Sequence, residues 1–243
     1  MTVAEFFGCA CLAFGTPLAM FTFTIAHDPI RIIILIAAAF FWLLSLLFSS
    51  ILWFAVVPLR NQLAFGVVFS VIFQELFRYL IYLVLRKTEN GLKEVAENVQ
   101  VTENKHILAY VSGLGFGIIS GAFALNNVLA DTVGPATMGL KSGSDSFFMV
   151  SAGTTLCFIL LHTFWGVIFF NALDNRNYGL ILWVIGSHLF VSCLTLLNQS
   201  GLYYATMVPA YCILIISAIL AFKVAGGTLS SFKMFITNRQ LSA

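Results

Sequence analysis

The sequence predicts an all-α, polytopic membrane protein with seven transmembrane helices. Two observations carry this. First, 60% of the 243 residues are hydrophobic and only 9% are charged, against ~25% charged in an average soluble domain. No water-soluble fold hides that much apolar surface. Second, seven apolar runs are long enough for the ~20 residues that cross a ~30 Å hydrocarbon layer: about 3–26, 30–57, 62–86, 106–130, 147–170, 178–197 and 202–222. The runs are continuously apolar rather than alternating, which excludes a β-barrel. Lipid-embedded backbone must then satisfy its hydrogen bonds within each helix.

Taken in order, Met1 to Ala10 carries no basic residue, contains Glu5 and leads to no convincing small-residue cleavage site, so the first run reads as a retained span rather than a signal peptide. The connection after the third span, 87–105, mixes acidic and basic residues (KTENGLKEVAENVQVTENK) and is expected to be mobile. The turn after the sixth holds the sequon Asn198-Gln199-Ser200, expected to lie too close to the membrane to be modified. Residues 1–243 read as a single seven-helix domain ending in a tail at 223–243, with no 20- to 50-residue repeat of the kind many transporters show.

Orientation follows from the basic residues of the short loops. With the N-terminus outside, the cytosolic side holds Arg31, Arg86, Lys87, Lys93, Lys105, Arg176, Lys223, Lys233 and Arg239, and the outer side only Arg60 and Lys141. That bias predicts a lumenal or extracellular N-terminus and a cytosolic C-terminus. The net charge of +2, with no dense basic cluster, argues against nucleic acid as a partner. All five cysteines lie inside spans and none forms a CxxC pair, so neither a disulfide framework nor a zinc site is indicated.

Four ionisable residues lie within the spans: Glu75 and Arg78 in the third, His162 in the fifth and His188 in the sixth. Such groups are costly in hydrocarbon and each needs a partner. Glu75 and Arg78 are three residues apart, share a helix face and can neutralise each other. Counting from the cytosolic span ends at 1.5 Å per residue puts His162, His188, Glu75 and Arg78 at depths of ~13, ~15, ~16 and ~12 Å. All four fall in one layer, which suggests a common polar or water-filled pocket. The alternative is a self-paired Glu75–Arg78 bridge and two separate histidines, each bonded to a neighbouring helix.

In the fourth span Gly113, Gly117 and Gly121 recur at i, i+4 and i+8. They form a bare ridge along one helix face that admits close approach of another helix, either in this chain or in a partner. The same stretch contains GIISG, which looks a little like the GxSG of rhomboid intramembrane proteases, with Ser120 as nucleophile and His188 as base. The glycine is one place too early, and Ser120 lies ~6 Å deeper than His188. HExxH is absent, and Asp28, Asp131, Asp145 and Asp174 all lie at or beyond span ends, which leaves no intramembrane aspartyl dyad. A seven-span receptor or transporter shares the gross topology and stands as a further alternative.

The segments FFGC (Phe6 to Cys9), DPIRIIILIAAAFFWLLSLLFSS (Asp28 to Ser50), FQELFR (Phe73 to Arg78), AYVSGLGFGIISG (Ala109 to Gly121), LLHTFWGVIFF (Leu160 to Phe170), GSHL (Gly186 to Leu189) and AGG (Ala225 to Gly227) together resemble the anterior-pharynx-defective (Aph) family, the seven-span subunit of γ-secretase. The resemblance covers nearly the whole chain. It implies a non-catalytic scaffold that associates with nicastrin, with presenilin, which supplies the catalytic aspartates, and with the presenilin enhancer. By motif, Gly113, Gly117 and Gly121 match the family's assembly glycines, and His162 and His188 match its paired histidines, implied in assembly and activity. The resemblance further implies support for cleavage of type I membrane proteins such as Notch and amyloid precursor protein. It implies residence in endoplasmic reticulum and Golgi membranes, with the mature complex at the plasma membrane and endosomes. No cofactor or metal is expected.

Overall fold

Each apolar run becomes a long helix, because a helix is the one single-segment structure that pairs every backbone N–H and C=O inside hydrocarbon. The computed structural model describes residues 3–59, 62–95, 105–133 and 145–228, together with positions 230, 233, 234 and 237. Its long helices are α1 (Val3–Thr24), α2 (Pro29–Ala55), α3 (Leu63–Val95), α4 (Lys105–Val133), α5 (Asp145–Asp174), α6 (Tyr178–Leu194) and α7 (Tyr203–Val224). All seven are long and apolar enough to cross a membrane, and there is no strand among the described residues. This is an all-α, seven-helix, multi-pass membrane architecture.

Two helix ends depart from the apolar runs. Helix α3 continues to Val95, so the first part of the expected 87–105 connection is helical. Lys87 to Val95 holds no proline and several good helix formers, which carry the helix past the end of its apolar stretch. The rest of that connection, residues 96–104, and most of the expected tail lie outside the described residues. Helix α6 ends at Leu194, and the chain tightens into a 3₁₀ segment, Thr195–Ser200, closed by Gly201 at φ 73°. That left-handed conformation costs glycine nothing and other residues a steric penalty. The start of α2 is set by Asp28, whose Oδ1 accepts from the Ile30 and Arg31 amides at 3.0 and 3.4 Å, followed by Pro29 at the first helical position.

Helices α4 and α5 form the centre, and the others are arranged around them. Helix α1 packs on both, α2 on α4 and α3, α7 on α5 and α6, and α3 reaches the bundle through α2 and α6. The central pair owes its closeness to the glycine ridge. A Cβ placed at Gly113 would stand 2.7 Å from the Thr163 carbonyl oxygen and 2.9 Å from that of His162. At Gly117 it would stand 2.5 Å from the Ile159 oxygen, and at Gly121 2.5 Å from Ile159 Cδ1. Helix α5 reciprocates with Gly166, where a Cβ would lie 2.8 Å from Gly113 Cα. The ridge therefore packs α4 on α5 within this chain.

Gly115 does the same towards α2, where a Cβ would lie 2.5 Å from the Leu35 carbonyl oxygen. Helix α4 is thus pressed between two backbones. Lipid gives helices little hydrophobic reason to associate, so van der Waals contact at such close approach supplies much of the attraction. Gly117→Leu is expected to pry α4 from α5 and destabilise the fold by about 1–3 kcal/mol. Gly186→Ala, where an added Cβ meets nothing within 4 Å, should be neutral. Unfolding of the purified chain in mixed micelles at rising SDS fraction checks this, and equal midpoints for the two variants would refute it.

Candidate functional site

The four intramembrane ionisable residues are brought into one connected network. Glu75 and Arg78 sit one turn apart on α3, His162 on α5 and His188 on α6, and each is no more than 6% exposed. Arg78 Nη2 lies 3.3 Å from Glu75 Oε1 and 2.8 Å from His162 Nδ1. His188 Nδ1 lies 2.6 Å from the same Glu75 Oε1. The two imidazole rings stand edge to face, 5.0 Å between centroids. The order His188–Glu75–Arg78–His162 joins three helices, and the self-paired bridge and the histidine contacts turn out to be parts of one arrangement.

Donor chemistry assigns the two histidines different roles. A guanidinium only donates, so His162 Nδ1 accepts and its ring proton sits on Nε2. A carboxylate only accepts, so His188 donates from Nδ1 to Glu75. The two rings have opposite duties at Nδ1, one accepting and the other donating. Removing the acceptor at 162 or the donor at 188 strands a buried partner in each case.

Aromatic groups close the rest of the shell. Trp165, fully buried, stacks on His188 with ring centroids 4.6 Å apart and meets His162 edge-on at 5.6 Å. The Arg78 guanidinium carbon lies 5.5 Å from the Phe116 ring and 5.9 Å from Trp165. Arg78 Nε and Nη1 and Glu75 Oε2 are buried with no hydrogen-bond partner, so the π faces provide the remaining stabilisation of the cation. Neither aromatic was singled out from the sequence. Trp165 is three residues from His162 and so on its face, and Phe116 is the aromatic residue inside the glycine run, which is where the signal lay.

A second polar tie lies nearer the end of α3. Arg86 Nε and Nη2 bind Asp174 Oδ1 and Oδ2 at 2.9 and 2.5 Å, and the Tyr82 hydroxyl donates to Oδ1 at 2.9 Å. Glu75, Arg78, Tyr82 and Arg86 follow at steps of three or four residues, so these four share a face of α3 that is turned towards α5 and α6.

Towards the opposite end, a cavity of about 610 Å³ opens beside the network. Its lining is rich in hydroxyl and amide groups, among them Ser70, Gln74, Ser120, Thr155, Ser192 and Asn198. None of the four ionisable residues lines it; the space begins at Gln74, one residue before Glu75. Gln74 is itself held, accepting from Trp42 Nε1 at 3.2 Å and donating to Ser70 Oγ at 3.1 Å. Asn198 of the sequon also lines this cavity and is half-buried, with its Oδ1 buried. Ser120 also faces it, while His188 Nδ1 is taken by Glu75, and no hydrogen bond joins Ser120 to His188. Among the described residues no group of three His, Cys, Asp or Glu side chains is placed to hold a metal ion. The side chains of Asp131 and Asp145 lie outside the described residues.

Seven spans around an internal ion network define an integral, multi-pass membrane protein in which Glu75, Arg78, His162 and His188 join three of its own helices. A family model described as Aph-1 protein matches residues 4–228, and the chain belongs to the Aph-1 family. It is 66% identical over 237 residues to a Drosophila melanogaster protein named γ-secretase subunit Aph-1, covering 98% of this chain and 99% of that one. It is 47% identical to the Mus musculus γ-secretase subunit APH-1B, covering 96% and 93%. It is also 34% identical to an Arabidopsis thaliana γ-secretase subunit APH1-like protein, covering 82% and 83%.

Glu75→Ala is expected to cost about 3–5 kcal/mol, because it leaves Arg78 buried without its countercharge. Arg78→Ala should cost a similar amount, and the double replacement clearly less than the sum. Unfolding midpoints in mixed micelles around the double-mutant cycle test this, and strict additivity would show that the two charges do not sense each other.

Proposed function

We propose that this chain is the non-catalytic scaffold subunit of a γ-secretase complex, assembling and stabilising an intramembrane aspartyl protease through nicastrin, presenilin and the presenilin enhancer. The relatives are named γ-secretase subunits, and their similarity runs along almost the full length of both chains. The observation that carries the non-catalytic part is the network itself: Glu75, Arg78, His162 and His188 are buried and bonded to one another. A general acid or base must reach the proton it moves, and these four face each other instead.

On this reading the glycine ridge acts in assembly indirectly, by fixing α4 on α5 and so shaping the outer faces that partner spans meet. The polar layer fixes the register of α3 against α5 and α6, and the adjoining polar space receives or positions a presenilin segment. The basic residues favour a lumenal N-terminus and a cytosolic C-terminus. The complex would be assembled in endoplasmic reticulum and Golgi membranes, act at the plasma membrane and endosomes, and cleave type I membrane proteins such as Notch and amyloid precursor protein.

A mild-detergent pull-down of the tagged chain tests the reading. Nicastrin and presenilin should be recovered with the wild type and severalfold less with Gly117→Leu. The purified chain alone, in liposomes, should leave peptide substrates intact. Turnover by the isolated chain would overturn the proposal.

A further inference from the structure

On the membrane face between α1, α2 and α4 lies a groove of about 300 Å³ lined only by Phe14, Pro17, Leu18, Phe21, Leu35 and Ile118. One to two turns beyond its lining, towards the α1–α2 turn, the same three helices contribute a polar cluster. The Thr24 hydroxyl pairs with the Tyr110 hydroxyl at 3.0 Å, Arg31 Nη1 donates to the Thr24 carbonyl oxygen, and Arg31 Nε stands 3.5 Å from Asp28 Oδ2. That Nε makes no hydrogen bond. Asp28 Oδ1 is occupied by the cap of α2, whereas Oδ2 has only the Arg31 contact.

We propose that this groove and its polar cluster form a seat for one phospholipid with a zwitterionic, primary-amine headgroup of the phosphatidylethanolamine type. Three features select it. Water does not fill a wholly apolar groove on a membrane face, so the occupant there is hydrocarbon. The path from Thr24 to Phe14 spans ten residues, about 15 Å of helix, which is half of a ~30 Å hydrocarbon core and the depth of one acyl chain in one leaflet. At the interfacial end the cluster offers a cation and a carboxylate together. Arg31 takes the phosphate and Asp28 Oδ2 accepts from the ammonium, so the neutral pair matches a neutral headgroup, while an anionic one meets the Asp28 charge.

The test uses the full-length chain, delipidated in detergent and titrated with dioleoylphosphatidylethanolamine or dioleoylphosphatidylserine by native mass spectrometry. One phosphatidylethanolamine should bind saturably, about tenfold more tightly than phosphatidylserine. Leu18→Trp, at a 61% exposed position that can fill the groove from outside, should abolish the tight site without shifting the unfolding midpoint. Arg31→Gln should weaken both lipids about tenfold, from loss of a charge-assisted contact. Asp28→Asn keeps the helix cap and should erase the headgroup preference. Equal binding of the two lipids, unchanged binding by Leu18→Trp, or an unchanged preference in Asp28→Asn would each overturn the proposal. So would absence of the lipid from the purified assembled complex, which would make a partner span the occupant.

Discussion

A carboxylate inside hydrocarbon must find its countercharge within the protein, and Glu75 finds two partners at a single oxygen: an ion pair with Arg78 from its own helix and a hydrogen bond from His188 of α6. Three helices depend on that sharing. Helix α3 has little close packing against the central pair, so its position comes from α2, from α6 and from the polar contacts at Glu75, Arg78, Tyr82 and Arg86. Desolvating these charges costs several kcal/mol per ion and is offset only when the geometry is good. The arrangement is therefore better understood as fixing one register than as adding net stability.

The glycine ridge and the ion network are parts of one construction. The atoms that a Cβ at Gly113 would meet first are the carbonyl oxygens of Thr163 and His162, so the close approach of α4 sets the height of His162. Phe116, flanked by Gly115 and Gly117, then reaches both the His162 ring, 6.3 Å between centroids, and the Arg78 cation. A side chain at Gly117 would act on the charges by moving the backbone that carries His162. Steric and electrostatic determinants are coupled through that one turn of α5.

Span number, the polar layer and the ridge were all readable from residue spacing, because hydrocarbon imposes a strong one-dimensional rule on composition and helices impose a period. What spacing lacks is azimuth. Counting rises placed Glu75, Arg78, His162 and His188 at one depth, yet it left open whether they met. It also left the ridge a choice between a helix of this chain and one of a partner. Gly166 was the missing half of that answer, a glycine on the facing helix that no repeat announces. The extension of α3 to Val95 escaped because hydropathy reports where the membrane ends and says nothing of where the helix does. The roles of Trp165 and the hydroxyl-lined cavity depend on how three helices rotate relative to one another, which pairwise contacts decide.

The same geometry explains why acid and base groups set deep in a membrane need not imply catalysis. Turnover would require at least one of them to change its proton and recover. Protonating His162 at Nδ1 removes the acceptor that Arg78 uses and places two cations 2.8 Å apart. Protonating Glu75 weakens its hold on both Arg78 and His188. Each change breaks a tie between helices before it serves any substrate, and the neighbouring hydroxyls, Ser120 among them, face a separate space. Proton transfer here would be paid for in helix register, so these four groups suit the task of fixing one arrangement of α3, α5 and α6.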